Sequence, residues 1–515
     1  MDDLLLDGNS LTIEDVISVA YSQSRQVKLP EGSLRRIIKA SDAVAEFVRQ
    51  GKVIYGITTG FGAFKDKIIP SDQVELLQNN ILLSHAVGVG PVLDEAATRA
   101  MMLIRANTLA KGHSGIRKET LELLIDMLNK GIHPVIPEKG SLGASGDLAP
   151  LAHMSLPLIG QGEVIYQDAR MPSDKAFAMV GLKPITLTAK EGLALTNGTS
   201  FMTALGAISC WKSLHLIKIA DLSASLTLEA LHGTLKAFDA RIHALRPHAG
   251  QEITARNIRN ALQGSAFLRE DDPLNVQDAY TLRCIPQVHG AFRDTLTYCT
   301  KIIETELNSV TDNPLIFFDG QGNPEIISGG NFHGEPLAFA MDFLAIALTD
   351  LGNMIERRIA KLVDESNNQH ILPAFLTLHG GVNSGFMLLQ YTAAALASEN
   401  KILSHPSSTD SIPSSANIED HVSMGANAAL HTRDILDNIE VILALELISA
   451  AQAIDFHRSG DTILKFGKGT HKLYDLIRER VPFLQQDTLM YPLINKVQEL
   501  VSSEKLFKLA DTLVE

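Results

Sequence analysis

LAFAMDFLAIALTDLGNMIERRIAKLV, Leu337–Val363, is the stretch that decides the architecture. Leu337, Ala338, Phe339, Ala340, Met341, Phe343, Leu344 and Ile346 leave almost no polar face along its first half. A helix that is apolar all round is buried among other helices rather than laid on a surface. Helical periodicity recurs on either side, over Asp72–Leu83, Glu95–Ala110, Lys118–Lys130, Leu205–Leu231, Gln287–Leu307, Phe386–Leu403 and Ala426–Asp455. Strand signals are few and short, chiefly Val53–Ile57 and Leu315–Phe318. The expected class is therefore mainly α, with long helices gathered into a bundle. A break is expected near Ser200, between a turn-rich segment 1–199 and a helical segment 200–515.

Bulk properties narrow the partners. The 515 residues are 45% hydrophobic and 20% charged, the composition of a globular chain with a large core. A formal net charge of −14 offers no basic stripe for a nucleic-acid backbone. Cys210, Cys284 and Cys299 are odd in number and irregular in spacing, which predicts a reducing, cytoplasmic setting without disulfides. The start, MDDLLLDGNSLTIEDV, has no basic signal-type region. Val441–Ile454 is strongly apolar but short and carries Glu446, so a buried helix is expected there and no membrane span.

The chemistry is concentrated in GSLGASGDLAPLAHMSLPLIGQGEV, Gly140–Val164. Gly140, Gly143 and Gly146 crowd around Ala144 and Ser145, so the backbone there can make close approaches and adopt unusual dihedrals. Asp147 reads as the N-cap of a helix opening the apolar run Leu148–Leu158. Ser145 thus sits on a strained turn near the positive end of a helix.

This segment resembles the signature of the histidine, phenylalanine and tyrosine ammonia-lyase family. The resemblance implies that Ala144, Ser145 and Gly146 cyclise and lose two waters. The Gly146 nitrogen attacks the Ala144 carbonyl carbon and Ser145 becomes a dehydroalanine. The product is 4-methylidene-imidazol-5-one (MIO), an electrophile built from the chain, so no external cofactor is implied. The family fold is an N-terminal MIO-bearing domain followed by a long central helical bundle. Its assembly is a homotetramer whose active sites combine residues from three subunits.

Other segments carry the resemblance through the chain. VIYGITTGFGAF (Val53–Phe64) is similar to the family's mobile tyrosine loop, with Tyr55 facing the site and Gly56, Gly60 and Gly62 permitting motion. Neither it nor FGKGTH (Phe466–His471) fits a phosphate-binding loop. LLSHAVGVG (Leu82–Gly90) places His85 at the substrate-selectivity position. EGLALTNGTS (Glu191–Ser200) supplies Asn197 for the substrate carboxylate. In VQDAYTLRCIPQVHG (Val276–Gly290), the three-residue spacing can put Gln277, Tyr280 and Arg283 on one side of a helical or turn segment. Arg283 suits a carboxylate, and Tyr280 can serve as a base beside a positive neighbour. SGGNFHGEP (Ser328–Pro336) implies Phe332 close to MIO.

HPSSTDSIPSSANIEDHVSMG (His405–Gly425) ends in Glu419, Asp420 and His421, which by themselves form no recognisable metal-ligand set, so no metal is expected. Glu419 matches the histidine-lyase form, in which the glutamate sits near the imidazole. Ile418 departs from the glutamine usual there. The implied activity is deamination of L-histidine to trans-urocanate and ammonia, with His85 and Glu419 reading the ring. The alternatives are a tyrosine or phenylalanine ammonia-lyase or an aminomutase on the same scaffold, which the C-terminal Gln486–Val501 keeps open, and a non-catalytic helical assembly protein.

Overall fold

The structure, a computed structural model, describes residues 3–273, 275–458 and 463–514. Helices dominate it. The long periodic segments form close to their expected limits: Val74–His85, Glu95–Ala110, Lys118–Asn129, Ser200–Ala230, Ile285–Leu307, Glu335–Val363, Met387–Leu403 and Gly425–Asp455. The chain divides into two compact units. The first comprises Met1–Trp211, Thr300–Asp342 and Pro406–Leu430; the second comprises Lys212–Cys299, Phe343–His405 and His431–Glu515.

The first unit is built around Glu95–Ala110, in which every residue from Ala97 onward is buried. The Asp94 side chain caps it by accepting from the Ala97 N–H at 2.7 Å. This helix packs against Ile13–Ala20 and the amphipathic Lys118–Asn129. Its two arginines cannot reach water. Arg99 satisfies its guanidinium on the carbonyls of Val19 (2.8 Å) and Leu128 (3.3 Å), and Arg105 donates to the Ala194 carbonyl. Small sheets brace the loops: Val89–Val92 pairs antiparallel with Pro137–Lys139, and Leu315–Phe318 with Pro324–Ile327.

Val53–Ile57 is not the expected strand; it folds into a turn. The Thr58 hydroxyl donates to the Lys52 carbonyl at 2.6 Å and accepts from the Ile54 N–H at 2.9 Å. These local bonds compete with sheet pairing.

The second unit is a helical bundle with a polar knot in its core. Asp221 accepts from His289 Nδ1 at 2.8 Å, from Asn257 Nδ2 at 2.9 Å and from Arg293. Glu446, the charge within the apolar run Val441–Ile454, accepts from Arg358, from Ser223 (2.8 Å) and from Thr227 (2.9 Å). Every buried charge in this knot is thus paired and hydrogen-bonded. Glu335–Val363 is long and apolar enough to cross a membrane by length and composition, and 67% of its most apolar window is buried within the protein, as in a core helix. Cys210, Cys284 and Cys299 form no disulfide.

Candidate active site

The glycine-rich turn is held by a second segment. Gly146 has φ +73°, and a Cβ there would lie 2.1 Å from the Gly198 carbonyl oxygen. Gly198 has φ +143°, and a Cβ on it would meet Arg105 Nη1 at 2.4 Å. The two glycines form a parallel β-bridge, and the Asp147 N–H donates to the Gly198 carbonyl at 2.6 Å. Asn197 Nδ2 donates to the Ser145 carbonyl at 2.8 Å. Residues 145–147 are therefore zipped to 197–198 at a distance only side-chain-free backbone allows. Leu148 follows at φ 47° and ψ −84°, a conformation that a residue with a Cβ adopts only when its surroundings impose it.

Asp147 does not cap the helix that follows it. That helix, Ala149–Ser155, has Leu148 at its N-cap and no side-chain cap. The Asp147 carboxylate instead accepts from the Phe201 N–H at 2.6 Å and the Met202 N–H at 3.4 Å, at the start of Ser200–Ala230. Complete burial pushes its acid constant up to about 8, against the pull of those two N–H groups and Arg105. The turn is anchored to the longer helix because Gly146 and Gly198 bring their backbones into contact.

A cavity of about 960 Å³ opens beside Ser145, and Tyr55, His85, Asn197, Phe332 and Glu419 line it with Ser145. All of these lie in the first unit. Ser145 Oγ donates to Glu419 Oε1 at 3.1 Å, while Ser414 Oγ donates to Oε2 at 3.3 Å. Glu419 closes a tight loop with Ser414, whose N–H donates to the Glu419 carbonyl at 2.8 Å. Inside that loop Ser415, Ala416 and Asn417 all have positive φ (50°, 52° and 65°). Left-handed backbone at consecutive non-glycine residues is costly, and strain of this kind gathers at functional sites. Ile418 lines the cavity from the same loop.

His85 ends helix Val74–His85 and shares a 3.0 Å hydrogen bond with Ser84 Oγ through Nδ1. Burial holds its imidazole below the usual range, while the Ile81 backbone and the Glu419 charge pull the other way. A neutral imidazole offers one donor and one acceptor. The Tyr55 hydroxyl accepts from the Gly62 N–H at 3.3 Å, which folds the loop onto itself. Ser145 bonds a carboxylate rather than an imidazole, so the arrangement is not that of a serine hydrolase.

Gln277, Tyr280 and Arg283 belong to the second unit and are not among the residues lining this cavity. Tyr280 opens the short helix Tyr280–Arg283 and is 70% exposed, with the Arg283 guanidinium 4.6 Å from its ring centroid. Arg283 Nε is buried without a hydrogen-bond partner. Arg105, Leu148 and Asn313 escaped the reading of the sequence. Arg105 looks like any helical arginine, and Asn313 sits in an unremarked loop. Only tertiary contacts bring Arg105 beneath Gly198 and Asn313 to the cavity wall.

Residues 11–479 match the aromatic amino acid lyase family. The chain is 59% identical over 507 residues to a histidine ammonia-lyase of Chloroflexus aurantiacus, covering 98% of this chain and 97% of the relative. It is 52% identical to the histidine ammonia-lyase of Caldanaerobacter subterraneus, over 98% of each chain. Among solved structures it resembles histidine ammonia-lyase from Trypanosoma cruzi, with TM-score 0.91, 39% identity and coverage of 100% of this chain and 96% of that one. It likewise resembles tyrosine aminomutase from Streptomyces globisporus, with TM-score 0.93, 38% identity and coverage of 100% and 99%. By a match that spans most of its length, by full-length relatives and by a shared, mainly helical fold, this chain belongs to the aromatic amino acid lyase family.

Proposed function

We propose that this chain is a carbon–nitrogen lyase that deaminates L-histidine to trans-urocanate and ammonia, using an electrophile formed from Ala144, Ser145 and Gly146. The observation that carries the reading is the placement of His85 and Glu419 on the wall of the cavity that holds Ser145, with Glu419 bonded to Ser145 itself. Identity of 59% to a histidine ammonia-lyase over almost the whole chain supports the same substrate.

The residues present suit MIO. Gly146 is already bent at positive φ and pressed on Gly198, and the buried Asn197 Oδ1 has no hydrogen-bond partner, an acceptor left over beside the Ser145 carbonyl. The group would supply an electrophilic carbon, which none of the ordinary side chains provides, to make the amine a better leaving group. The chain's own residues do the rest. Glu419 accepts the substrate's ring N–H, and neutral His85 serves the other side of the ring. Asn197 and Arg283 hold the carboxylate, Arg283 with two parallel hydrogen bonds. Tyr280 removes the β-proton, with the Arg283 guanidinium 4.6 Å from its ring centroid. Tyr55 assists from the loop, and Phe332 and Gln277 shape the walls.

Tyr280, Arg283 and Gln277 reach the cavity from other copies of the chain in a homotetramer. Two exposed features favour assembly. Phe339, Phe343 and Ile346 remain 43%, 44% and 46% exposed along helix Glu335–Val363, although a helix this apolar is expected to be covered. Leu388, Tyr391 and Ile402 stand 57%, 58% and 75% exposed on Met387–Leu403. Exposed apolar stripes of this kind are covered in homo-oligomers.

The test is a substrate panel of histidine, tyrosine and phenylalanine, read by the near-ultraviolet absorbance of the product acids. Histidine should be preferred. Glu419→Gln should lower histidine turnover by about 10-fold or more, since a polar group that the bound ring covers and leaves mismatched costs ~1–3 kcal/mol. Phenylalanine turnover should fall less. Better turnover of tyrosine than of histidine by the unaltered chain would overturn the assignment of Glu419.

A further inference from the structure

His333, Glu335 and His421 bring their ligand atoms within 4.8 Å of one another. All three belong to the first unit. Glu335 Oε2 lies 3.9 Å from His333 Nδ1 and 3.8 Å from His421 Nε2. Both gaps exceed a hydrogen bond, so neither imidazole satisfies the carboxylate. Glu335 Oε2 is nevertheless shielded from solvent and has no hydrogen-bond partner. Glu335 is also the first residue of helix Glu335–Val363. A shielded, unsatisfied carboxylate oxygen facing two imidazoles calls for a positive charge.

The imidazoles are arranged to supply lone pairs. His333 Nε2 lies 3.2 Å from the His421 carbonyl, which can only accept, so Nε2 carries the proton and Nδ1 holds the lone pair toward Glu335. That lone pair has one competitor, the Glu335 N–H, at a long 3.4 Å. A backbone carbonyl orienting the far nitrogen of a histidine is the usual outer support of a metal-bound imidazole. The His333 and His421 rings are parallel within 3°, their centroids 5.7 Å apart. His421 is 70% exposed at its side chain, which leaves a path from solvent and room for the ring to move.

We propose that His333, Glu335 and His421 bind a first-row divalent cation of the zinc class and that the ion ties the segment carrying Phe332 to the segment carrying Glu419. Two imidazoles and one carboxylate are a ligand set that zinc accepts with one position left for water. Tetrahedral coordination at bond lengths of about 2.0–2.2 Å needs ligand atoms about 3.4 Å apart. The observed 3.8 and 3.9 Å separations are therefore wide by about half an ångström. Binding requires rotation of the exposed His421 ring and a shift of the Glu335 carboxylate, whose side chain is 25% exposed. His333 follows Phe332 directly and His421 lies just beyond Glu419, so the ion acts on the cavity wall by positioning and touches no reacting atom. Its binding does not depend on which amino acid the cavity takes.

The experiment uses the full-length protein, stripped with a chelator and titrated with Co2+ and with Zn2+. The readouts are the visible absorption of bound Co2+ and metal content after dialysis, neither of which requires turnover. The expected result is one ion per chain with a low-coordinate Co2+ band that Zn2+ displaces. His421→Ala should weaken binding at least about 10-fold, as loss of even supporting groups does at metal sites. The exposed position of His421 spares the core, and far-ultraviolet circular dichroism checks the fold. Glu335→Gln should do the same by removing the anionic ligand. Absence of a stoichiometric ion, or equal binding by the unaltered chain and His421→Ala, means adventitious coordination elsewhere and overturns the proposal.

Discussion

At Gly198 there is no room for even one methyl group. Its Cβ would fall 2.4 Å from Arg105 Nη1 and 2.8 Å from Thr311 Oγ1, at a φ of +143° that other residues avoid. Gly198→Ala should therefore cost about 1–3 kcal/mol through strain and overpacking, visible as a lower melting temperature. It should also leave the intact mass closer to that of the uncyclised chain. Ser145→Ala should keep the helical circular dichroism while abolishing turnover and the loss of two waters from the encoded mass. Asp147 adds a pH dependence. Its folded acid constant stands at about 8 against an ordinary 3.8, so across that window the folded chain keeps a proton that the unfolded chain releases. Stability is greatest below the lower value and is lost as pH rises through the upper one. Melting temperatures measured across the window should fall with pH in the unaltered chain and fall less in Asp147→Asn.

At the scale of elements, the loops around the cavity are held by charges that have no water to turn to. Lys190 sits at φ +73°, just before the short helix Glu191–Thr196 that leads into Asn197. Its Nζ donates to Asp312 Oδ2 at 3.0 Å, with both side chains fully buried. Breaking such a pair leaves one charge stranded. Lys190→Met should cost about 3–5 kcal/mol, measured by denaturant unfolding, and adding Asp312→Leu should recover part of the loss. Periodicity located the long helices well because an apolar face repeats over many turns. Val53–Ile57 misled because β-branched residues suggested a strand, whereas the Thr58 hydroxyl supplied local bonds that a hydropathy pattern cannot show. The left-handed run Ser415–Asn417 was equally invisible, since serine, alanine and asparagine carry no mark of the strain imposed on them.

At the scale of the molecule, the described cavity is lined from one unit, while Tyr280 and Arg283 belong to the other. If copies of the chain share sites, two inactive variants should repair one another. Co-assembly of Ser145→Ala with Tyr280→Phe should restore part of the activity that each homo-oligomer lacks. Light scattering should report a tetramer, and a fully active monomer would refute shared sites. Aspartate at Phe339 and Phe343 should dissociate the assembly and abolish turnover together.

What the sequence alone determined are the properties that act over short spans. Helical repeats such as Glu95–Ala110, the glycine-dense turn around Ala144–Gly146 and the family resemblance of the segments bearing His85, Asn197 and Glu419 were all legible there. These depend on side-chain periodicity and backbone freedom, which neighbouring residues dictate. Tertiary structure alone decided where the long-range polar groups spend their hydrogen bonds. Asp147 caps the helix beginning at Ser200 rather than the one it precedes. His421, unremarkable beside Glu419 and Asp420, gains His333 and Glu335 from a distant segment. A carboxylate or imidazole takes whichever partner packing delivers once water is excluded, and spacing along the chain carries no record of that choice.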